Sequence, residues 1–359
     1  MKPAVKEDTS VTAAIRENHS MLLYPRSVSK RKLPVNLNSD HIPLFSHELE
    51  RQIPPTSLLQ FQDIKVSSDG VLFKGMKILP ESFAFPWQLK EWKLRGIVKF
   101  MVNNHAFRRR RVVESPVLWI TDHWSKGYFH WLTDVLTRLL VVRYKLNDFV
   151  LMLPWEYQAQ GWVKSSLKAF GVEAVEFIDR NEVLECRRLF LPTHTAPSGN
   201  YNEELIQGVR EILLSSYASP NKQQVNKRIY ISRNRAPKRR IANEGEVATV
   251  VGKFGFETIR AEELSFEQQV EIFSQARYVI SNHGAGLTNM LFMREGGSVL
   301  ELRHQEDRTN NCYFALCSAL NLDYFYQTCQ PVNEADPHTA DLFVDPAALE
   351  KNLGLLVAG

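Results

Sequence analysis

The sequence predicts an α/β fold built as two lobes, and three observations carry that prediction. Short β-branched runs alternate with helical periodicity between residues 117 and 191 and again between 228 and 302. Such alternation belongs to parallel sheets with helices on their faces. A chain of 359 residues with 44% hydrophobic and 23% charged residues is also long enough for two separate cores. Finally, the run SNHGAGLTN at 281–289 stops an apolar strand on two glycines and opens a helix, a junction at which α/β proteins bind anions.

Residues 1–62 are polar and punctuated by proline, with short apolar pieces such as Ile42, Leu44 and Phe45. They predict a loosely ordered N-terminal arm with one or two short helices. The first lobe, 63–217, opens with Ile64 and Val66 alternating against Val71 and Phe73 across Asp69-Gly70, the pattern of a hairpin at its edge. A strand at 117–120, a helix at 128–144, a strand at 149–153 and a helix at 158–170 follow. Strands at 175–178 and 188–191 and a helix at 203–217 complete this lobe. The polar turn at 218–222 reads as the linker. The second lobe, 223–330, alternates a strand at 228–233, a helix at 244–254, a strand at 257–259, a helix at 266–276 and a strand at 276–280. The glycine-rich turn and a strand at 298–302 come next, and 331–359 form a tail that packs back on the lobes. No solenoid-length repeat or low-complexity tract interrupts the pattern.

The net charge of +4 is too small to argue for a nucleic-acid partner. Basic residues cluster at 30–32, 108–111 and 238–240, and for 108–111 a solvated face and contact with an anionic membrane are both open readings. Cys186, Cys312, Cys317 and Cys329 show no C-x-x-C spacing. Three of them fall in a C-terminal region that reads as helical and buried. They read as core thiols, which points to a reducing compartment, not to a disulfide framework or a zinc site. No apolar stretch approaches the ~20 residues of a membrane span, and the N-terminus is charged where a signal peptide is apolar. The expected location is cytoplasmic, peripheral to the inner membrane face.

Three segments carry chemistry. In the glycine turn, His283, Gly284, Ala285, Gly286, Leu287 and Thr288 form a cradle for a diphosphate, although the same turn also serves as an ordinary strand-to-helix connection. A Rossmann fingerprint would need a third glycine at Asn289, and the Gly-Lys-Ser/Thr of a Walker loop is absent. These points favour a nucleotide over a dinucleotide. Glu301, read as the end of the following strand, stands where a ribose hydroxyl pair is bound. In the 128–144 helix, His130, Asp134 and Arg138 recur every fourth residue and share a face. A base, a carboxylate and a guanidinium on an otherwise apolar helix either line a cleft or form an internal ion-paired ladder. A metal site would lack a third ligand. In the loop after residue 233, Arg233 and one of Lys238, Arg239 or Arg240 have the geometry to neutralise a diphosphate, the alternative being a solvated loop. Asn243 and Glu244 read as the cap of the next helix.

With GYFHWLTDVLTRL at 127–139, RIYISRNRAPKRRIANE at 228–244 and QVEIFSQARYVISNHGAGLTNMLFM at 269–293, the chain resembles the family 61 glycosyltransferases over roughly 117–330. That family includes bacterial capsular polysaccharide biosynthesis proteins. The resemblance implies a GT-B architecture, two Rossmann-like lobes facing across a cleft, and inverting transfer of a sugar from a nucleotide donor. The chain departs from the family pattern at Asn282, where proline is expected before the histidine, and at Thr137, where bacterial relatives commonly carry proline.

An inverting transfer needs a base for the acceptor hydroxyl and a cationic pocket for the departing diphosphate. Arg233, Lys238, His283 and the amides of Gly284, Ala285 and Gly286 are expected to take the leaving group. The base is His130 or Asp134; His130 is favoured for its ordinary value of ~6.5, with Asp134 orienting it and Arg138 in support. The expected donor is a nucleotide sugar, UDP-linked, serving as co-substrate, with no cofactor, no obligatory metal and no nucleic acid. The expected acceptor is a glycan or a lipid-linked glycan of surface polysaccharide biosynthesis. A non-catalytic nucleotide- or sugar-binding member of a polysaccharide assembly complex is the competing class. A hydrolase would need a nucleophile elbow or a metal cluster that the sequence lacks.

Overall fold

The computed structural model describes residues 20–219, 225–332 and 336–358. Most of the presumed linker at 218–222, and the first nineteen residues of the arm, lie outside the described residues.

Two large sheets organise the chain. The first has nine strands: β1 (Ser20–Tyr24), β4 (Thr56–Ser67), β5 (Leu72–Lys74), β6 (Lys77–Ile78), β7 (Arg109–Val113), β8 (Val117–Leu118), β9 (Val150–Pro154), β10 (Glu176–Ile178) and β11 (Glu182–Pro192). A small ribbon pairs β2 (Ser27–Lys30) with β3 (Glu50–Ile53). The second sheet has six: β12 (Lys227–Ile231), β13 (Glu257–Ile259), β14 (Ala276–Asn282), β15 (Ser298–His304), β16 (Asp323–Pro331) and β17 (Leu342–Phe343).

Strand order decides where ligands can bind. The second sheet runs β13-β12-β14-β15-β16-β17, parallel except for the antiparallel edge strand β17. The direction in which successive strands are added therefore reverses between β12 and β14, leaving a crevice beyond their carboxyl ends, the ligand position of open α/β sheets. In the first sheet the path β10-β9-β8-β11 is parallel and places a second such crevice between β8 and β11. Beyond β11 this sheet becomes antiparallel through β4, β5 and β6, so it is mixed, not wholly parallel.

The predicted hairpin forms between β4 and β5, with Gly70 at φ 83 in the turn. Its first strand is not an edge strand, because β4 also pairs with β11 and β1. The supposed loose arm is ordered from Ser20 onward. It contributes β1 and most of β4, and residues 31–49 reach the second sheet, where Val35 N donates to Tyr324 O at 2.9 Å. Phe45 is fully buried there, with edge contacts to the rings of Phe314, Tyr324 and Tyr326. The sequence shows isolated apolar residues in this segment but not their distant partners.

Helices fill the space between the sheets. The Glu203–Tyr217 helix is started by Asn202, whose side chain accepts from Leu205 N. Its buried Leu205, Ile206, Val209 and Leu213 follow helical spacing and join one core with Leu136, Leu139, Met290 and Phe314. Gly208 lets it approach closely, since a Cβ there would lie 2.9 Å from Leu140 Cδ2. Truncating any of these buried aliphatic side chains to alanine costs about 2–5 kcal/mol. In β14 and β15 nearly every residue is buried on both faces, so the carboxyl ends of these strands are rigidly placed.

Candidate active site

The first crevice is built by the loops that follow β8 and β11. Asp122 and Trp124 come from one loop, His194 and Ser198 from the other, and His130 from the helical segment after Gly127. This segment is not the single regular helix that periodicity predicts. It is α-helical at Tyr128–His130, a π-turn at Trp131–Val135 and α-helical again at Leu136–Leu140. Threonine hydroxyls accompany the irregularity: Thr133 Oγ1 donates to Phe129 O at 2.8 Å, and Thr137 Oγ1 lies 2.9 Å from Thr133 O and 3.1 Å from Asp134 O. Thr137 thus serves backbone carbonyls within the turn.

His130 and Asp134 form the predicted pair. Nδ1 of His130 lies 2.9 Å from Asp134 Oδ2, which also accepts from Ser198 Oγ at 2.7 Å. Asp134 is 5% exposed while the His130 side chain keeps 23% of its surface. Nδ1 of His130 is thus engaged by the carboxylate, while Nε2 has no partner among the described residues. Arg138 departs from expectation. It is 1% exposed, donates to Pro192 O at 2.9 Å and pairs with Asp122 Oδ2 at 3.4 Å, so it braces the floor of the crevice instead of lining it. The extra residue in the π-turn rotates the later positions away from the face that His130 and Asp134 share.

A second histidine–carboxylate pair, missed from sequence, lies alongside. His194 Nε2 is 3.0 Å from Asp122 Oδ2. Burial acts to raise the Asp122 carboxyl, but the close approach of His194, with the charge of Arg138 and the backbone N–H of Trp124, holds it well below the usual carboxylate range. Trp124 connects the two pairs: its N–H donates to Asp122 Oδ1 at 2.8 Å and its ring packs 5.1 Å from that of His130.

The second crevice holds the glycine turn. Gly284 has an extended backbone at φ 168. The guanidinium of Arg233 occupies the place that a Cβ on residue 284 would take. Arg233 is further held by the carbonyls of Arg239 (3.4 Å) and Lys238 (3.3 Å). The Asn282 side chain donates to Arg239 O, pinning a residue whose φ of 58 lies in the left-handed region. Burial and the neighbouring charge of Arg239 lower the Arg233 guanidinium below its ordinary value. Neither arginine forms an ion pair among the described residues, and the buried Nε of Arg239 has no hydrogen-bond partner there. Two adjacent cations with no carboxylate in ion-pair contact among the described residues make this turn electropositive. Lys238 is exposed at the rim, whereas Arg240 turns away to Asp341 at 2.9 Å.

His283 stands beside this cluster with both ring nitrogens engaged. Nδ1 lies 2.5 Å from Glu301 Oε1, and Nε2 is 2.9 Å from Asn310 Nδ2. Glu301 corrects the expected ribose contact. It sits in mid-strand, is 0% exposed, and its second oxygen accepts from Tyr324 OH at 2.6 Å. Burial pushes its carboxyl up, but the charge and hydrogen bond of His283, with Arg303 and Tyr324, bring it below the ordinary value. It therefore backs the histidine. The segment Ala285–Phe292 is a 3₁₀ helix, not an α-helix; Leu287 and Thr288 are fully buried, and Leu287 N–H is committed to Gly284 O at 2.9 Å. Of the predicted cradle, the amides of Gly284, Ala285 and Gly286 remain available.

The crevices meet through aromatic contacts. The ring of Tyr313 lies 5.6 Å from Phe129 and 4.9 Å from His283, both edge-on, and Tyr128 OH donates to Asn289 Oδ1 at 2.7 Å. A groove of about 790 Å³ beyond β12 and β13 is lined by Ser232, Asn234, Glu244, Thr258 and Arg260 among others. Among the described residues, no group of three or more His, Cys, Asp or Glu is placed to hold a metal ion, and no helix is long and apolar enough to cross a membrane. The four thiols are free; Cys329 lies on a strand, not a helix, and burial pushes Cys186 and Cys329 up to about 12.

Fold and site together define an α/β protein that presents an oriented histidine at one switch point and an uncompensated cationic, glycine-lined turn at another. The family model described as Glycosyltransferase 61 matches residues 128–300 of the chain. That interval contains His130, Asp134, Arg233 and the glycine turn. The chain is also 29% identical over 197 residues to the EGF domain-specific O-linked N-acetylglucosamine transferase of Drosophila melanogaster, a match covering 50% of this chain and 37% of that protein. The chain therefore spans well under half the length of that relative.

Proposed function

We propose that the protein is an inverting glycosyltransferase of GT-B type that moves a sugar from a nucleotide-sugar donor, UDP-linked, to an acceptor hydroxyl without an obligatory metal. The observation that carries this reading is the uncompensated Arg233/Arg239 pair against Gly284, linked through His283, Tyr313 and Phe129 to the oriented imidazole of His130.

His130 Nε2 takes the proton of the acceptor hydroxyl while Asp134 holds the opposite nitrogen in the correct tautomer. The hydroxyl oxygen forms the new bond to the anomeric carbon from the face opposite the diphosphate. The old carbon–oxygen bond breaks, and its electron pair leaves on the diphosphate. Arg233, Arg239, Lys238 and the amides of Gly284, Ala285 and Gly286 receive that charge. His283, backed by the Glu301 carboxylate, donates from Nε2 to a phosphate oxygen once protonated, displacing Asn310. Because Glu301 is buried, the nucleoside extends instead into the groove beside Glu244, Thr258 and Arg260.

For the acceptor, a glycan or lipid-linked glycan of surface or capsular polysaccharide follows from the family resemblance. The O-linked N-acetylglucosamine activity named for the Drosophila relative favours a second reading, in which the hydroxyl belongs to a protein. A non-catalytic nucleotide-binding role is the alternative to both. The deciding experiment is a thermal-shift screen against UDP, GDP, CMP and their sugars, followed by UDP release from the stabilising donor. Stabilisation with turnover that His130→Ala abolishes supports transfer. Stabilisation without release or transfer for any acceptor favours the binding role.

A further inference from the structure

The helix Leu94–Val102 presents a surface that the transfer reaction leaves unused. Its inner side is fixed by Ile97, Phe100 and Met101, which pack with Phe73 and Val183. On the other side Leu94, Val98 and Val102 recur every fourth residue and are 76%, 51% and 48% exposed. Arg95 and Lys99 follow Leu94 and Val98 by one position, so a cationic row runs beside the apolar one along a helix about 14 Å long. His105 Nε2, 3.1 Å from Gly75 O, ties the far end of this segment to the β5–β6 hairpin tip, where Met76 is also exposed.

Charge identifies what such a face fits. Residues 74–107 contain six lysines and arginines, no aspartate, and only Glu81 and Glu91 as acids. Lys90, Lys93, Arg95 and Lys99 form no ion pair among the described residues. The neighbouring run Arg108 to Arg111, a candidate for membrane contact by sequence, is instead neutralised internally. Arg108 meets Asp69, Arg109 meets Asp179 and Glu182, Arg110 meets Glu185, and Arg111 meets Glu176 and Glu182.

We infer that this face seats the protein on an anionic lipid surface. Leu94, Val98 and Val102 enter the boundary between headgroups and acyl chains, while Lys93, Arg95 and Lys99 meet the lipid phosphates and carboxylates. An exposed apolar row flanked by unpaired cations on a short helix is the arrangement an interfacial helix requires. A protein partner of mixed charge gives no reason for the near absence of acids. The inference is independent of the transfer reaction.

The test is flotation of the full chain with vesicles of pure phosphatidylcholine and of phosphatidylcholine with 30 mol% phosphatidylserine, at about 0.1 M salt, where the Debye length is about 10 Å. Binding is expected only with phosphatidylserine. It should fall roughly a hundredfold in Lys93→Ala/Arg95→Ala/Lys99→Ala, at about fivefold per cation, and by at least about tenfold in Val98→Glu. Arg109→Ala should bind like the parent, and unchanged thermal unfolding of each variant separates lipid contact from misfolding. Failure of the parent to bind, equal binding to both vesicles, or full binding by folded Val98→Glu overturns the inference. So does a concentration-dependent dimer that Val98→Glu dissolves in the absence of vesicle binding.

Discussion

Gly284 and Arg233 share one volume: the arginine guanidinium fills the place of the missing side chain. The backbone at Gly284 is extended, so alanine is conformationally acceptable there. What alanine removes is the seat of the arginine, whose long side chain can swing aside. Gly284→Ala is therefore expected to change stability by about 1 kcal/mol or less. It should weaken UDP binding roughly ten- to a hundredfold, the loss of a charge-assisted hydrogen bond. Calorimetric titration with UDP beside thermal unfolding checks both; undiminished UDP affinity would remove Arg233 from the donor site.

The contrast between Gly284 and Arg138 shows what the sequence could reveal. A glycine after a parallel strand, a polar residue on an apolar helix and the βα alternation are local patterns, and β12 to β15 with their helices lie close to where periodicity puts them. His130 and Asp134, four residues apart, needed only one helical turn. The π-turn after them has no periodic signature, and it sent Arg138 inward to Asp122. His194, Asn310, Tyr313 and Tyr324 enter the site from separate loops and elements, and no spacing marks them. Arg239 was one of three equivalent cations until Asn282 and the left-handed backbone fixed its direction. Glu301 carried the right charge at a position that the β14–β15 register buries beside Ser281.

His130→Ala should lower kcat by about 10² to 10⁴ through loss of general-base catalysis while leaving UDP affinity near that of the parent. Asp134→Asn should lower kcat similarly, because an amide at this position can stabilise the opposite imidazole tautomer. Steady-state kinetics with titration of donor give the separation. Near-full turnover by His130→Ala would transfer the role of base elsewhere, with His194 the next residue to vary.

Asp122 predicts how the fold responds to acid. Its carboxyl titrates lower in the folded chain than in the unfolded one, because His194 and Arg138 outweigh the effect of burial. On acidification the unfolded chain takes up the proton first, so the contribution of Asp122 is complete above pH ~4 and is lost as pH falls from there toward the folded value. Asp122→Asn should cost about 3–5 kcal/mol at pH 7, where it leaves buried Arg138 without its carboxylate. It should also flatten the loss of stability below pH 4. Urea unfolding midpoints for parent and variant at pH 7 and between pH 4 and 2.5 test this; parallel curves would show that the pair does not titrate with folding.

Donor binding and turnover are expected to be unchanged by EDTA if, as proposed, two guanidinium groups, an imidazole and three amides take the charge of the diphosphate that a divalent cation would otherwise carry. Activity measured before and after chelation, with Mg²⁺ and Mn²⁺ added back, decides the point. A drop restored by either ion would assign part of the leaving-group charge to a metal.

Arg239 and Arg240 are adjacent in sequence and unequal in expected effect. Arg239 shares the pocket with Arg233, has no carboxylate among the described residues and keeps a buried Nε without a partner. Arg240 is half exposed and satisfied by Asp341 at 2.9 Å. Removing Arg239 relieves its repulsion of Arg233, so Arg239→Ala should be neutral or slightly stabilising without UDP and lower UDP affinity by about tenfold or more. Arg240 lines the groove assigned to the nucleoside but not the diphosphate turn, so Arg240→Ala, which also loses a solvent-screened pair worth about 0–1 kcal/mol, should lower UDP affinity less than Arg239→Ala. Thermal unfolding and UDP titration of the two variants side by side distinguish a donor cation from a tail contact. Equal losses of affinity would mean that the 234–240 loop acts as one unit and that Arg239 has no separate role in holding the diphosphate.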